Sequence, residues 1–394
     1  MVELAAKTEP GARLVRLAET LASELAEHAA RHDREVSFPH AGIDALKRAG
    51  YFVAPIPAEH GGLGVTSVHD VVVASSRLAR GDASVAIGVN MHMVLVLNVV
   101  LRWRAAVAAG NARRVAAYGS SLEAIARDGV IMAAAISEHG QDLTRPRTTA
   151  ERTPDGWRID GRKAFCTMSP AATVLATAVT FVDDDGVERY GYAQVPATTA
   201  GVEILGDWDA LGMRASGSHT VTFDGVHVPR SALRGGFPAG DGEAYMDRNT
   251  VAGLFHASAS LGIAESAAAT AAAAAGRRGE PDARARTLIA ENAIELGAGR
   301  ATLSRACTLV DEGAAGVVAL FAEAQAAKAF VNEAAARIVD RALALSGGAG
   351  YLNGHPLARA SRDVRAGSFM HPLGANRAYE LLGDVALGRE PVLH

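Results

Sequence analysis

The placing of the Asp-Gly pairs constrains this chain most. They fall at Asp155-Gly156, Asp160-Gly161, Asp185-Gly186 and Asp224-Gly225, all within one central stretch. Asp-Gly supplies the positive φ angles of tight hairpin turns, and the segments around these pairs (GWRID, KAFCT, TVLATAVTF, RYGYAQVP, HTVTFDGVHVP) are short and rich in β-formers. An antiparallel sheet or barrel is therefore predicted over residues 129–238. Residues 1–128 and 239–394 carry a different rhythm. Leu14, Leu17, Leu21 and Leu25 recur at helical steps, as do Val331, Ala334, Ile338, Ala342 and Leu345, the latter stopping at the glycines of SGGAG. The run AAATAAAAAG reads as helix because alanine is the strongest helix former. Helices, then strands, then helices predict an α+β fold of three domains sharing a cleft.

Several function classes drop out. A net charge of -4 with scattered Lys and Arg offers no face for nucleic acid. Cys166 and Cys307 form no CxxC pair, and no His, Asp and Glu cluster has metal-ligand spacing, so no metal is expected. The first residues mix acids and bases and lack a signal-peptide core. The apolar run VAIGVNMHMVLVLNVVL is interrupted by Asn90, His92 and Asn98, so no membrane span is predicted and a cytoplasmic location is expected. Gly61–Gly64 lacks the Lys-Ser/Thr of a phosphate loop.

Four motifs lie in order along nearly the whole chain: PAEHGGLG, then AAISEHGQD with DGWRIDGRKAFCT, then DALGMRASGSHTVTFDGVHVP, then LSGGAGYLNGHPLARASRDVR. Together they resemble the acyl-CoA dehydrogenase superfamily. The resemblance implies an N-terminal helical domain, a central antiparallel β-barrel domain and a C-terminal four-helix bundle, with a flavin between barrel and bundle in a homotetramer. In that family a Glu near the last helix, or one on an earlier helix before a Leu-Gly step, takes the α-proton of an acyl-CoA thioester. Here those places hold His371 and Ala252. The wording DALGMRASGSHTV and RAGSFMHPL resembles instead the monooxygenase branch that hydroxylates dibenzothiophene and phenols. That branch takes reduced flavin (FADH2 or FMNH2) from a separate flavin reductase and uses O2 through a C4a-hydroperoxyflavin. The run AGRRGEPDARAR, standing where dehydrogenases keep an Arg-x-Gln-Phe-Gly clamp on FAD, suits a flavin that arrives and leaves. The expected activity is hydroxylation of a small aromatic or heteroaromatic (indole- or phenol-type) or amine substrate. The alternatives are an acyl-CoA dehydrogenase or oxidase with an atypical base, and a flavin-binding relative without catalysis.

The resemblance also assigns residues. Ser137, Phe165, Thr167 and Ser169 would border the flavin ring, and Gly347, Gly348 and Gly350 would approach the flavin tail of a neighbour. His371 and His92 are the catalytic candidates; Asn90, Ser216 and Met370 are the substrate-binding ones. Proline favours the first helical position, so Pro372 predicts a helix running to about Leu387 with His371 at its N-cap. The positive end of that helix would keep the imidazole neutral at pH 7. Arg362 and Asp363 are expected to pair. Plainer readings stand beside these: a lone His on an apolar helix is usually core, Phe165 fits a core strand, and Ser-Gly-Ser is common turn chemistry.

Overall fold

The computed structural model describes residues 2–140, 142–233, 236–277 and 279–393; Gln141 of the second motif and Arg278 of the AGRRGEP stretch lie outside them. The N-terminal block comprises α1 (Glu9–Glu35), α2 (His40–Arg48), α3 (Val68–Gly81), α4 (Ala83–Ala108) and α5 (Ala112–Arg127). Leu14, Leu21 and Leu25 bury one face of α1, each contributing about 1.5–3 kcal/mol. Asp82 caps α4 by accepting from the amides of Ser84 and Val85 at 2.9 and 3.3 Å. Helix α4 is long and apolar enough to cross a membrane, a point the sequence reading underrated, but 72% of its apolar window is buried within this fold. It packs against α3, α5 and β1, and against α6 of the C-terminal block.

The sheet comprises β1 (Met132–Ala135), β2 (Thr149–Arg152), β3 (Gly156–Cys166), β4 (Val174–Val182), β5 (Glu188–Pro196), β6 (Val202–Ile204), β7 (His219–Pro229) and β8 (Phe237–Pro238). Its order is β6-β7-β3-β2-β4-β5-β8, with β1 on β4. Among the described residues the pairing follows this path, and β1 and β2 join β4 in parallel, so the sheet is mixed and not purely antiparallel. Only two of the four Asp-Gly pairs serve turns: Asp155-Gly156 lies between β2 and β3, and Asp185-Gly186 between β4 and β5. The other two face each other inside β3 and β7, where the register slips between Ile159 and Gly161. There Asp160 accepts from the Gly225 amide at 2.8 Å, and Gly225 takes a φ of 57°. Asp-Gly satisfies a bulge as well as it does a hairpin, which is why the sequence did not separate them.

The C-terminal block comprises α6 (Gly242–Arg277), which includes the alanine run, α7 (Ala283–Glu312), α8 (Val317–Ser346), the short α9 (Pro356–Asp363) and α10 (Ala375–Ala386). All five residues of the predicted α8 stripe are buried. One apolar core runs from Leu14 and Leu46 through Phe255 of α6 to Val339 of α8, so the two helical blocks share an interior while the sheet keeps its own.

Two expectations fail here. The last helix begins at Ala375 with Gly374 as its cap, so His371 and Pro372, joined by a cis peptide bond, sit in the preceding loop. Arg362 pairs with Asp33 through two bonds of 2.8 and 2.6 Å, and not with Asp363. Adjacent residues on a helix point apart, which frees Asp363 to accept the Met213 amide at 2.6 Å. Burial pushes the Asp363 carboxyl up to about 7, against the Met213 amide and Arg359, which lower it. A raised carboxyl contributes stability below the unfolded value near 4 and loses it as pH climbs through the folded value. Asp363→Asn keeps the acceptor without the charge. It is expected to raise Tm by a few degrees at pH 8, by less at pH 5, and to leave it nearly unchanged below pH 4, as calorimetry would show.

Candidate active site

At the end of β3 the strand alternation breaks. Lys163 and Ala164 are both buried, the register slips again between Lys163 and Cys166, and Phe165 turns outward at a φ of 55°. Such bulges re-aim side chains. Phe165 is therefore 58% exposed, contrary to a core reading, with Trp208 and His139 beside it at ring distances of 6.0 and 6.4 Å. Behind it runs a hydroxyl ladder: Ser216 Oγ to Ser218 Oγ at 2.6 Å, and Ser218 donating to Thr167 Oγ1 at 3.0 Å. Ser137 follows β1; its carbonyl accepts from Ala164 at 2.9 Å, and its hydroxyl has no partner among the described residues. An exposed aromatic flank with a hydroxyl rim fits the planar, polar-edged ring of a flavin. Phe165→Ala is expected to weaken FMN binding about threefold to tenfold, the usual worth of an aromatic stacking contact, in a fluorescence titration.

Two neighbours do not fit their expected roles. Ser169 is buried and donates to the Gly217 carbonyl at 3.1 Å, and Ser216 is buried behind Thr167. Both brace the loop, and neither is placed to touch flavin or substrate. A pair the sequence reading missed lies just behind Ser137: Lys163 meets Glu138 at 2.5 Å, both buried. The carboxylate also accepts from the Arg147 amide (2.7 Å) and from the Thr148 amide and hydroxyl (2.9 and 2.7 Å). Burial would raise Glu138, but Lys163 and Thr148 outweigh it and hold it low. A charged residue breaking the apolar alternation of KAFC was the available signal.

His371 is half-buried, in edge contact with Tyr245 at a ring distance of 6.3 Å. Its Nε2 lies 2.9 Å from Asn249 Oδ1, while the Asn249 amide nitrogen donates to the Tyr245 carbonyl at 2.8 Å. That second bond fixes the amide, so Nε2 carries the proton and Nδ1 the lone pair. Nδ1 has no partner among the described residues. The ring is held neutral as expected, but for another reason: burial, then the nearby Lys328 charge, push it down to about 3. No helix end is involved.

Family models match each block in turn: the acyl-CoA dehydrogenase N-terminal domain over 14–106, the middle domain over 132–226 and the C-terminal domain over 242–376. This chain belongs to the acyl-CoA dehydrogenase superfamily. Amino sugar nitrososynthase DnmZ of Streptomyces peucetius is 35% identical over 97% of this chain and 95% of its own length. KijD3, solved with FMN and dTDP-3-amino-2,3,6-trideoxy-4-keto-3-methyl-D-glucose, matches with a TM-score of 0.89 at 34% identity, covering 98% of this chain and 96% of that one. FMN-bound TdsC, a dibenzothiophene monooxygenase from Paenibacillus sp. A11-2, matches at 0.85 and 26%, covering 97% and 99%. Within the superfamily, the chain is a flavin-dependent oxygenase.

The remaining assignments divide. His92 is fully buried, donates from Nε2 to the Phe52 carbonyl at 2.9 Å and accepts the Met132 amide on Nδ1 at 3.1 Å. With both nitrogens taken, it ties α4 to β1 and cannot serve as a catalyst. Asn90, also buried, accepts from Ser75 (2.7 Å) and donates to the Phe255 carbonyl (2.9 Å), so it joins three helices and reaches no substrate. Met370 packs partly against the core in the loop before His371. Gly347 and Gly348 are exposed, while a side chain at Gly350 would strike Ser346 Oγ. Asn249 and Lys328 went unnoticed in the sequence; single polar residues inside otherwise apolar helical stripes were their only signal.

Proposed function

We propose that this superfamily member oxygenates the primary amine of a nucleotide-linked amino sugar. In each cycle one oxygen atom of O2 goes to nitrogen and the other leaves as water, with two electrons from reduced flavin and two protons. A separate reductase would supply that flavin, and FMN suits the exposed Phe165 platform and the altered clamp. Reduced flavin, once bound, supplies the activated dioxygen. Ser137, Phe165 and Thr167 would hold the ring. In a homotetramer the open Gly347 and Gly348 would reach a neighbour's flavin tail.

The observation that carries the reading is the His371 ring, held neutral with Nδ1 free. An amine attacks oxygen only when unprotonated. The Lys328 charge disfavours ammonium nearby, and the neutral imidazole orients the amine by accepting a hydrogen bond from one N–H on Nδ1. The same depressed basicity opposes the dehydrogenase reading, because so weak a base is poorly matched to a thioester α-proton. The full-length similarity to amino sugar nitrososynthases supports an amine over an indole or phenol. The test offers protein, reductase, NADH and FMN with a dTDP-linked amino sugar, indole or a short acyl-CoA in parallel. Amine-dependent product supports the reading; turnover of indole or acyl-CoA alone overturns it.

A further inference from the structure

Below the His371 loop, α6 and α8 face each other across a polar seam in an otherwise apolar bundle. From α6 come Asn249 and His256, and from α8 come Gln325, Lys328 and Asn332, all buried. Gly253, between the two α6 residues, leaves room for Gln325, whose amide nitrogen a Cβ there would meet at 2.9 Å. Lys328 Nζ donates to three carbonyls of the one loop: Met370, His371 (3.3 Å) and Leu373 (2.7 Å). No carboxylate pairs with it among the described residues. An ammonium has three N–H groups, one for each carbonyl, so the charged form completes this clasp and the neutral amine leaves one carbonyl short.

We propose that Lys328 is a positioning residue for the oxygenase reaction: its ammonium clasps the 370–373 backbone and aims His371 at the substrate nitrogen. The proposal rests on the functional reading above for its purpose, though not for its geometry. The groups facing the pair are Tyr245, Asn249 and His256 from α6 and Gln325 from α8, with Arg377 of α10 acting on Tyr245; none is anionic at neutral pH. Among the described residues, both ring nitrogens of His256 and both amide atoms of Gln325 lack partners, so the seam offers Lys328 dipoles without a counter-charge. Burial lowers Lys328 to about 7, so the clasp is complete below neutrality and slackens above it.

The test compares wild type with Lys328→Met, Lys328→Gln and Lys328→Arg. Two readouts need no turnover: amide hydrogen exchange over residues 369–374, and the His371 titration followed by NMR of 15N-histidine-labelled protein. Loss of the clasp should speed exchange about tenfold, as for removal of charge-assisted hydrogen bonds, and should move the His371 titration up toward the ordinary imidazole range. Lys328→Arg should restore both, and in wild type the protection of these amides relative to the intrinsic exchange rate at each pH should fall as pH rises past 7. Lys328→Gln is read in the same way should Lys328→Met not fold. Unchanged exchange and an unchanged His371 titration in the folded variants overturn the proposal. A wild type that oxygenates no amine would remove the functional reading while leaving these two measurements to judge the clasp.

Discussion

His371→Ala is expected to bind FMN as tightly as wild type while forming product about 10²-fold more slowly, with oxygen consumption continuing as hydrogen peroxide release. The rate loss is about what misplacing a reacting group costs when the residue that orients it is removed. Flavin binding should survive because the residues proposed to hold the ring, Phe165, Thr167 and Ser137, lie on the β domain and, among the described residues, share no hydrogen bond with His371. His371→Gln isolates the ring's contribution, since its amide nitrogen stands near the place of Nε2 and can still donate to Asn249 while the Nδ1 lone pair is lost. An oxygen electrode read against product by mass spectrometry gives the coupling ratio. Unchanged coupling in both variants would remove the histidine from the chemistry.

Lys163→Met should be strongly destabilising, by about 3–5 kcal/mol, because it takes the ammonium away from the buried Glu138 side chain. The three donors from Arg147 and Thr148 remain, but they carry no full charge. Lys163→Met with Glu138→Gln should recover most of the loss, since removing both charges takes away the desolvation cost together with the attraction. The Lys163 single variant should also bind FMN more weakly, because Ser137 precedes Glu138 and is held to Ala164. Chemical denaturation of the four proteins gives the coupling energy. A double-variant loss equal to the sum of the two single losses would mean that the pair does not act as a pair.

The fold was legible where one period dominated. The leucines of α1 and the stripe on α8 predicted buried faces because a helix gathers residues three and four apart. The sheet was legible as a region but not as a topology, since the β1–β4 and β2–β4 pairings depend on distant partners that local pattern does not encode. Pro372 misled because it suits a loop as well as a first helical turn, and only Gly374 marks the actual start. At the site, motif wording singled out Phe165, Thr167 and His371, which the structure leaves exposed or only partly buried. It promoted His92 and Asn90 too far, because a polar residue bonded within a core and one aimed at a ligand look alike in sequence. The neutrality of His371 was anticipated, but its cause, burial beside Lys328, lies in residues 43 positions apart.

The central claim is that a neutral imidazole here serves the transfer of oxygen to an amine nitrogen. Its most direct test runs the protein with reductase, NADH, FMN and a dTDP-linked amino sugar under 18O2, with mass spectrometry of the sugar nucleotide. The account predicts 18O on the former amine nitrogen, a yield matched to oxygen consumed, and loss of that match in His371→Ala. An unlabelled, unchanged sugar with all consumed oxygen recovered as peroxide in wild type would contradict it.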